Sequence, residues 1–191
     1  MTARRKERPR LTGEGRMPGD PSRQELLARM LRVDQAGEYG AVRIYEGQMA
    51  VLGRRAGASA LRHMSEQERR HLETFDALLV RRRVRPTLLS PLWHLAGFAL
   101  GAGTALLGER AAMACTAAVE EVIDGHYAAQ AEQLGDDEAE LRATIKSFRA
   151  DEGAHRDLAL AAGAEQAPAY PLLSGAIKVG SRLAIWLSER I

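Results

Sequence analysis

Two Glu-x-x-His motifs, Glu68-Arg-Arg-His71 and Glu152-Gly-Ala-His155, limit what this chain can become more than any other feature. Each has a further glutamate upstream. Glu38 stands 30 residues before Glu68, and Glu120 stands 32 residues before Glu152. Side chains three positions apart meet only on a helix face. Read twice, the pattern requires four long helices, folded antiparallel, with six polar side chains turned to one interior.

The rest of the sequence supplies those helices. Ser22 with Glu25 three residues later forms a capping box after Pro21. Leu26, Leu27, Met30, Leu31, Val33, Ile44, Met49 and Leu52 then recur at helical spacing, with Gly53 as a stop. Gly37, Gly40 and Gly47 interrupt this helix and point to close approach by a neighbouring helix or a ligand. A second helix is expected from about Ser59 to Val84, ending before Pro86. A third runs from about Glu109 to Leu134. A fourth begins near Asp136-Asp137 and ends around Ala162, before Gly163. The fold class is all-α: a ferritin-like antiparallel four-helix bundle with additional apolar membrane-interface helices.

Two segments fall outside the four. Residues 86–108, PTLLSPLWHLAGFALGAGTALLG, contain no Asp, Glu, Lys or Arg. The length is near that of a spanning helix, but the two prolines, four glycines and His94 favour a helix in the membrane interface or one covering the bundle. The C-terminal LLSGAIKVGSRLAIWLSERI mixes a long apolar face with Lys178, Arg182 and Arg190, and is suited to the same roles.

The formal charge of +2 gives the whole chain no strong electrostatic partner, and no nucleic acid is expected. The basic residues nevertheless crowd one end. Residues 1–21, with Arg4, Arg5, Lys6, Arg8, Arg10 and Arg16, read as a disordered basic arm, and residues 22–191 as one domain. The basic start is not followed by an apolar stretch, so no secretory signal is expected. Cys115, the single cysteine, makes neither an internal disulfide nor a thiolate metal knuckle, and reads as a small buried residue.

Glu38, Glu68, His71, Glu120, Glu152 and His155 are thus candidate metal ligands, and with the metals candidate catalytic groups. Four carboxylates balance two divalent ions, and mixed carboxylate and imidazole ligation suits iron or manganese. Ala36, Gly37, Gly40 and Ala41 surround Glu38, and Ala114, Ala117, Ala118 and Val119 precede Glu120. Faces this tightly packed leave no room for an unpaired carboxylate. Metal-bound imidazoles usually donate their other N–H to a carboxylate. Asp34, one turn before Glu38, is the expected orienting group, while Asp124, Asp151 and Glu121 suit surface salt bridges. Tyr39 and Tyr127 are placed to hydrogen-bond near the metals. His126 lies off the ligand face, as second-shell or substrate-side, and His63 and His94 read as structural or exposed. On ligand types alone, an iron- or peroxide-handling ferritin-like or rubrerythrin-like protein, a dimanganese catalase and a non-enzymatic helical interaction protein all remain open.

Longer strings narrow the choice. Val33-Asp34-Gln35-Ala36-Gly37-Glu38-Tyr39-Gly40-Ala41, Arg43-Ile44-Tyr45 and Gly47-Gln48-Met49 resemble the demethoxyubiquinone hydroxylase family of ubiquinone biosynthesis. So do Arg83-Val84-Arg85-Pro86-Thr87, Pro91-Leu92-Trp93, the run from Gly97 to Ala105, Ala118-Val119-Glu120-Glu121, Ala167-Pro168-Ala169-Tyr170 and Leu187-Ser188-Glu189-Arg190. The resemblance spans about residues 22–191. It implies a di-iron monooxygenase that hydroxylates the ring of a polyprenyl benzoquinol, with two iron ions, O2 as co-substrate and NADH as electron source. It places the six candidate ligands on the family's iron positions, with Glu68 and Glu152 as bridging carboxylates. Asp124 and Gly125 depart from the family's pattern just before His126-Tyr127. A polyprenyl substrate must be drawn from a bilayer. The expectation is therefore a peripheral protein on the cytoplasmic face of a bacterial inner membrane, or the matrix side of the mitochondrial one. Other proteins of ubiquinone biosynthesis are possible partners. The segment Leu88–Leu107 and the last helix are the expected entrance.

Overall fold

The computed structural model describes residues 19–54 and 58–191. Most of the expected N-terminal arm, residues 1–18, lies outside them. Six α-helices carry the described chain: α1 (Arg23–Leu52), α2 (Ala58–Arg82), α3 (Ser90–Leu106), α4 (Glu109–Gln133), α5 (Ala139–Ala161) and α6 (Tyr170–Ser188). No strand occurs among the described residues.

The capping box forms as the sequence requires. The Glu25 N–H donates to Ser22 Oγ at 3.1 Å, and the Ser22 N–H donates to Glu25 Oε2 at 2.6 Å. α1 packs on α2 and α4 on α5, giving two antiparallel hairpins whose helices face each other as a four-helix bundle. α3 is the long crossover between the hairpins. It lies along α1 and touches α4, and α6 lies across α4 and α1, so both cover one side of the bundle.

Two boundaries differ from the sequence reading. α2 ends at Arg82 rather than Val84, because Arg83 takes a left-handed conformation (φ 53°). The Val84 N–H then closes back on the Leu79 carbonyl at 2.9 Å, a helix-ending bond that starts the turn toward Pro86. Asp136 and Asp137 open a short 3-10 turn, Asp136–Glu138, and α5 proper follows it.

The α1–α3 contact depends on missing side chains. A β-carbon on Gly101 would lie 1.9 Å from the Ile44 carbonyl oxygen, and one on Gly47 would lie 2.3 Å from that of Phe98. Gly40 also meets α3, its carbonyl oxygen 2.9 Å from where a β-carbon on Gly97 would lie, and with Gly37 it lines an apolar cavity of about 380 Å³ between the bundle and its cover. Val33, Ala36, Ala41 and Ile44 of α1 and Val119 and Ile123 of α4 form its bundle side, and Trp93, Leu100, Ala184 and Ile185 its outer side. The cover is pinned by Trp93 Nε1–H donating to Ser188 Oγ at 3.0 Å and by Lys178 pairing with Glu121 at 2.6 Å.

The outward side of α3 and α6 stays apolar. Leu92, Leu95, Phe98, Leu106, Leu172, Val179, Leu183 and Trp186 are exposed, Leu95 at 70% and Leu172 at 75%. No helix among the described residues is long and apolar enough to cross a membrane.

Candidate metal centre

The four bundle helices each deliver part of one buried cluster. α1 gives Glu38, α2 gives Glu68 and His71, α4 gives Glu120, and α5 gives Glu152 and His155, all 3% exposed or less. Their donor atoms form two overlapping groups. Glu38, Glu68, His71 and Glu152 make one, and Glu68, Glu120, Glu152 and His155 the other, each with its atoms within 4.8 Å of one another. Only Glu68 and Glu152 belong to both.

The oxygen atoms divide in the same way. Tyr127 donates its hydroxyl to Oε1 of Glu38, and Tyr45 donates to Oε1 of Glu120 at 3.0 Å. That leaves one oxygen on each of these glutamates without a hydrogen-bond partner, whereas Glu68 and Glu152 have both oxygens so. With Nδ1 of His71 and of His155, eight buried donor atoms converge without aligned hydrogen bonds. His155 Nδ1 comes within 3.0 Å of Glu68, and His71 Nδ1 within 3.2 Å of Glu152, but the approaches are not aligned as bonds. Buried oxygen and imidazole atoms left in this state are costly, and this donor set fits two hard divalent cations.

The electrostatics report the same crowding. Burial, then the neighbouring Glu152 charge, drives Glu68 and Glu120 well above the usual carboxyl range. Glu38 is raised by burial despite His71 beside it. Glu152 goes the other way. Burial would raise it, but the His155, His71 and Glu120 side chains outweigh burial and hold it at about 2. Burial alone would lower His71, yet Glu152 and Glu38 hold it at about 10. Crowding thus pushes Glu68 and Glu120 toward the protonated form, and His71 and Glu152 toward their charged forms.

Around it, the expected neighbours are only partly in place. His71 Nε2 meets Asp151 Oδ2 at 3.1 Å, so Asp151, expected in a surface salt bridge, backs a motif histidine. Asp34, the expected orienting group, instead meets His126 Nε2 at 3.3 Å and accepts from the Gln130 amide at 2.6 Å. His126 thus reaches the cluster's surroundings only as a neighbour of Tyr127, with ring centroids 6.2 Å apart, while Asp34 holds it and Gln130. Tyr39 does not reach the cluster. One position past Glu38 it is turned ~100° around the helix, and its hydroxyl meets His94 Nδ1 of α3 at 2.6 Å. His63 is exposed, Cys115 is buried, and Asp124 and Glu121 form ion pairs with Arg149 and Lys178. The unusual Asp124-Gly125 pair leaves the Tyr127 contact intact.

Tyr45 and Gln67 were missed as site residues. Tyr45 lies seven positions after Glu38, as Tyr127 does after Glu120, and Gln67 precedes Glu68 as Asp151 precedes Glu152. The repeat of these offsets between halves was the available signal.

A family model described as "Ubiquinone biosynthesis protein COQ7" matches residues 25–188. The chain belongs to the COQ7 family. Relatives within it include a 3-demethoxyubiquinol 3-hydroxylase of Rhodospirillum rubrum, 67% identical over 95% of this chain and 86% of its own length. A human relative, named NADPH-dependent 3-demethoxyubiquinone 3-hydroxylase, mitochondrial, is 54% identical over 85% of this chain and 77% of its own. A Saccharomyces cerevisiae relative, named 5-demethoxyubiquinone hydroxylase, mitochondrial, is 44% identical over 87% and 78%. The COQ7 match covers all four helices of the bundle and both covering helices.

Proposed function

We propose that this protein is a di-iron 3-demethoxyubiquinol 3-hydroxylase that adds a hydroxyl group to a polyprenyl benzoquinol ring in ubiquinone biosynthesis. The observation that carries this reading is the position of the apolar cavity. Gly37 and Ala41 flank Glu38, and Val119 and Ile123 flank Glu120, so the chamber backs onto the two helices that present terminal carboxylates to the cluster. A bundle that only stores iron or removes peroxide has no need of an apolar chamber there.

Glu38 with His71 and Glu120 with His155 would hold one iron each, and Glu68 and Glu152, with both oxygens turned inward, would bridge them. Iron bound there would supply the chemistry for reducing O2 and for placing one of its oxygen atoms on the ring. The chain's own part is to position and to exclude water. Tyr127 and Tyr45 fix the terminal glutamates, Asp151 and Gln67 fix the histidines, and the cavity walls hold the ring in a dry chamber. Electrons come from a reduced nicotinamide. The sequence reading expects NADH, and the names of several relatives specify NADPH.

The exposed leucines of α3 and α6 would rest on the bilayer that contains the substrate, making the protein peripheral. For a bacterial chain this is the cytoplasmic face of the inner membrane; several relatives are named mitochondrial.

The test is an anaerobic reaction of iron-loaded protein with a short-tail demethoxyquinone and NADH or NADPH, followed by air. A product heavier by one oxygen atom, absent in Glu68→Ala, is expected. Full iron loading with no hydroxylated product would overturn the activity.

A further inference from the structure

The two motif histidines are braced alike in geometry but not in chemistry. His71 Nε2 faces a carboxylate oxygen of Asp151 at 3.1 Å, and His155 Nε2 faces the amide oxygen of Gln67, also at 3.1 Å. Each brace comes from the opposite half of the chain and is the residue just before that half's motif glutamate. In both rings Nδ1 is the atom turned to the cluster without an aligned partner. With Nδ1 on a metal ion, Nε2 would keep the ring proton and donate a hydrogen bond to the brace. A carboxylate accepts such a bond more strongly than an amide and makes the ring a stronger metal ligand. It also adds a fifth negative charge beside one half of the centre. The surroundings of the rings differ too. Phe148 stacks on His71 at 3.9 Å between centroids, whereas Tyr45 meets His155 only edge-on at 6.4 Å. Packing and charge both hold His71 more firmly.

We propose that the two metal positions are inequivalent by construction. The position formed by Glu38, Glu68, His71 and Glu152, backed by Asp151, fills first. The position formed by Glu68, Glu120, Glu152 and His155, backed by Gln67, fills second and exchanges its ion more readily. Asp151 and Gln67 act here as positioning residues, through the histidines. The inference rests on the metal-centre reading above and assigns an order within it.

Anaerobic titration of metal-free protein with cobalt(II), followed by calorimetry and by the visible spectrum of the bound ion, tests the order. The wild type is expected to bind in two resolved steps. Asp151→Asn, of nearly equal size, weakens the tighter step about 10–100-fold and spares the weaker one. Gln67→Glu strengthens the weaker step and draws the two together. Mössbauer spectra of the ferrous protein, with two doublets in the wild type, converge in Gln67→Glu. Unchanged far-ultraviolet circular dichroism in both variants separates these effects from unfolding. Two equivalents bound with one affinity in all three proteins would leave the centre standing and overturn its asymmetry. Absence of stoichiometric binding in the wild type would overturn the metal-centre reading itself, and the order with it.

Discussion

The hydroxyl of Tyr45, on α1, donates to Glu120, on α4, at 3.0 Å, while Tyr127, on α4, donates to Glu38, on α1. Each half of the chain thus restrains a carboxylate that belongs to the other. All four side chains are 2% exposed or less, so neither bond can be replaced by bulk water. Removing one hydroxyl leaves a buried carboxyl oxygen without its donor. Tyr45→Phe and Tyr127→Phe are each expected to lower the stability of the metal-free protein by about 1–3 kcal/mol. Urea unfolding of the metal-free variants measures this, and the Tyr45→Phe loss is expected to be coupled to Glu120→Gln in a double-mutant cycle.

The directions of the shifts within the cluster fix how stability depends on pH. Glu68, Glu120, Glu38 and His71 all have native pKa values above their unfolded ones, so the native state binds more protons. Their contribution is complete below the unfolded values and is lost as pH rises through the native ones. For His71 that window runs from about 6.5 to about 10. Glu152, held at about 2, contributes in the opposite sense: its stabilisation is complete above the unfolded value of 4.5 and is lost only as pH falls from there toward about 2. The melting temperature of metal-free protein is therefore expected to fall between about pH 5 and pH 9. Metal loading displaces these protons, so binding tightens with rising pH and releases protons to the buffer. Calorimetry in buffers of different ionisation enthalpy reads that release.

Gly101 has no room for a side chain, since an added β-carbon would lie 1.9 Å from the Ile44 carbonyl oxygen. Gly101→Ala must push α3 off α1. A cost of about 1–3 kcal/mol is expected, as for other overpacked contacts. Chemical denaturation gives the cost. Gly103, with open space around it, serves as the control and is expected to accept alanine without loss.

Leu95 and Leu183 project from α3 and α6 at 70% and 55% exposure, on the apolar outer side of the cover. Leu95→Glu with Leu183→Glu is expected to reduce co-sedimentation with liposomes about tenfold or more, given ~1.5–3 kcal/mol for each apolar side chain inserted. The melting temperature is expected to stay within a few degrees. Undiminished sedimentation would remove α3 and α6 as the membrane contact.

The bundle was legible because the Glu and Glu-x-x-His offsets require it, and the six cluster residues all sit on its inner faces. The capping box at Ser22 was equally readable, being a local pattern with a local partner. The braces were not. Asp151 looks like a surface acid on the helix wheel, and it is 39% exposed, yet one face of its carboxylate reaches His71 across the bundle. Such contacts depend on the facing of two helices eighty residues apart, and the sequence carries them only as the shared offset of Gln67 and Asp151 from their motif glutamates. Tyr39 misled for the opposite reason. Its closeness to Glu38 in sequence puts it on a different side of the same helix, against His94. The cavity, too, arises from three-dimensional packing: a β-carbon on Gly37 would meet open space, whereas the Gly40 backbone lies against Gly97 of α3 and Gly47 against Phe98.

The order of the helices along the chain has a consequence for synthesis. All six cluster residues have been made by His155, but the outer wall from α6 begins only at Tyr170. A nascent chain can therefore assemble its buried Glu and His cluster while Val33, Val119 and Ile123 are still uncovered on that side. Until the last helix emerges and Ser188 meets Trp93, the greasy chamber has only the half of its roof that α3 provides. For that interval the unfinished molecule presents an adhesive flank, which lipid or a chaperone can shield.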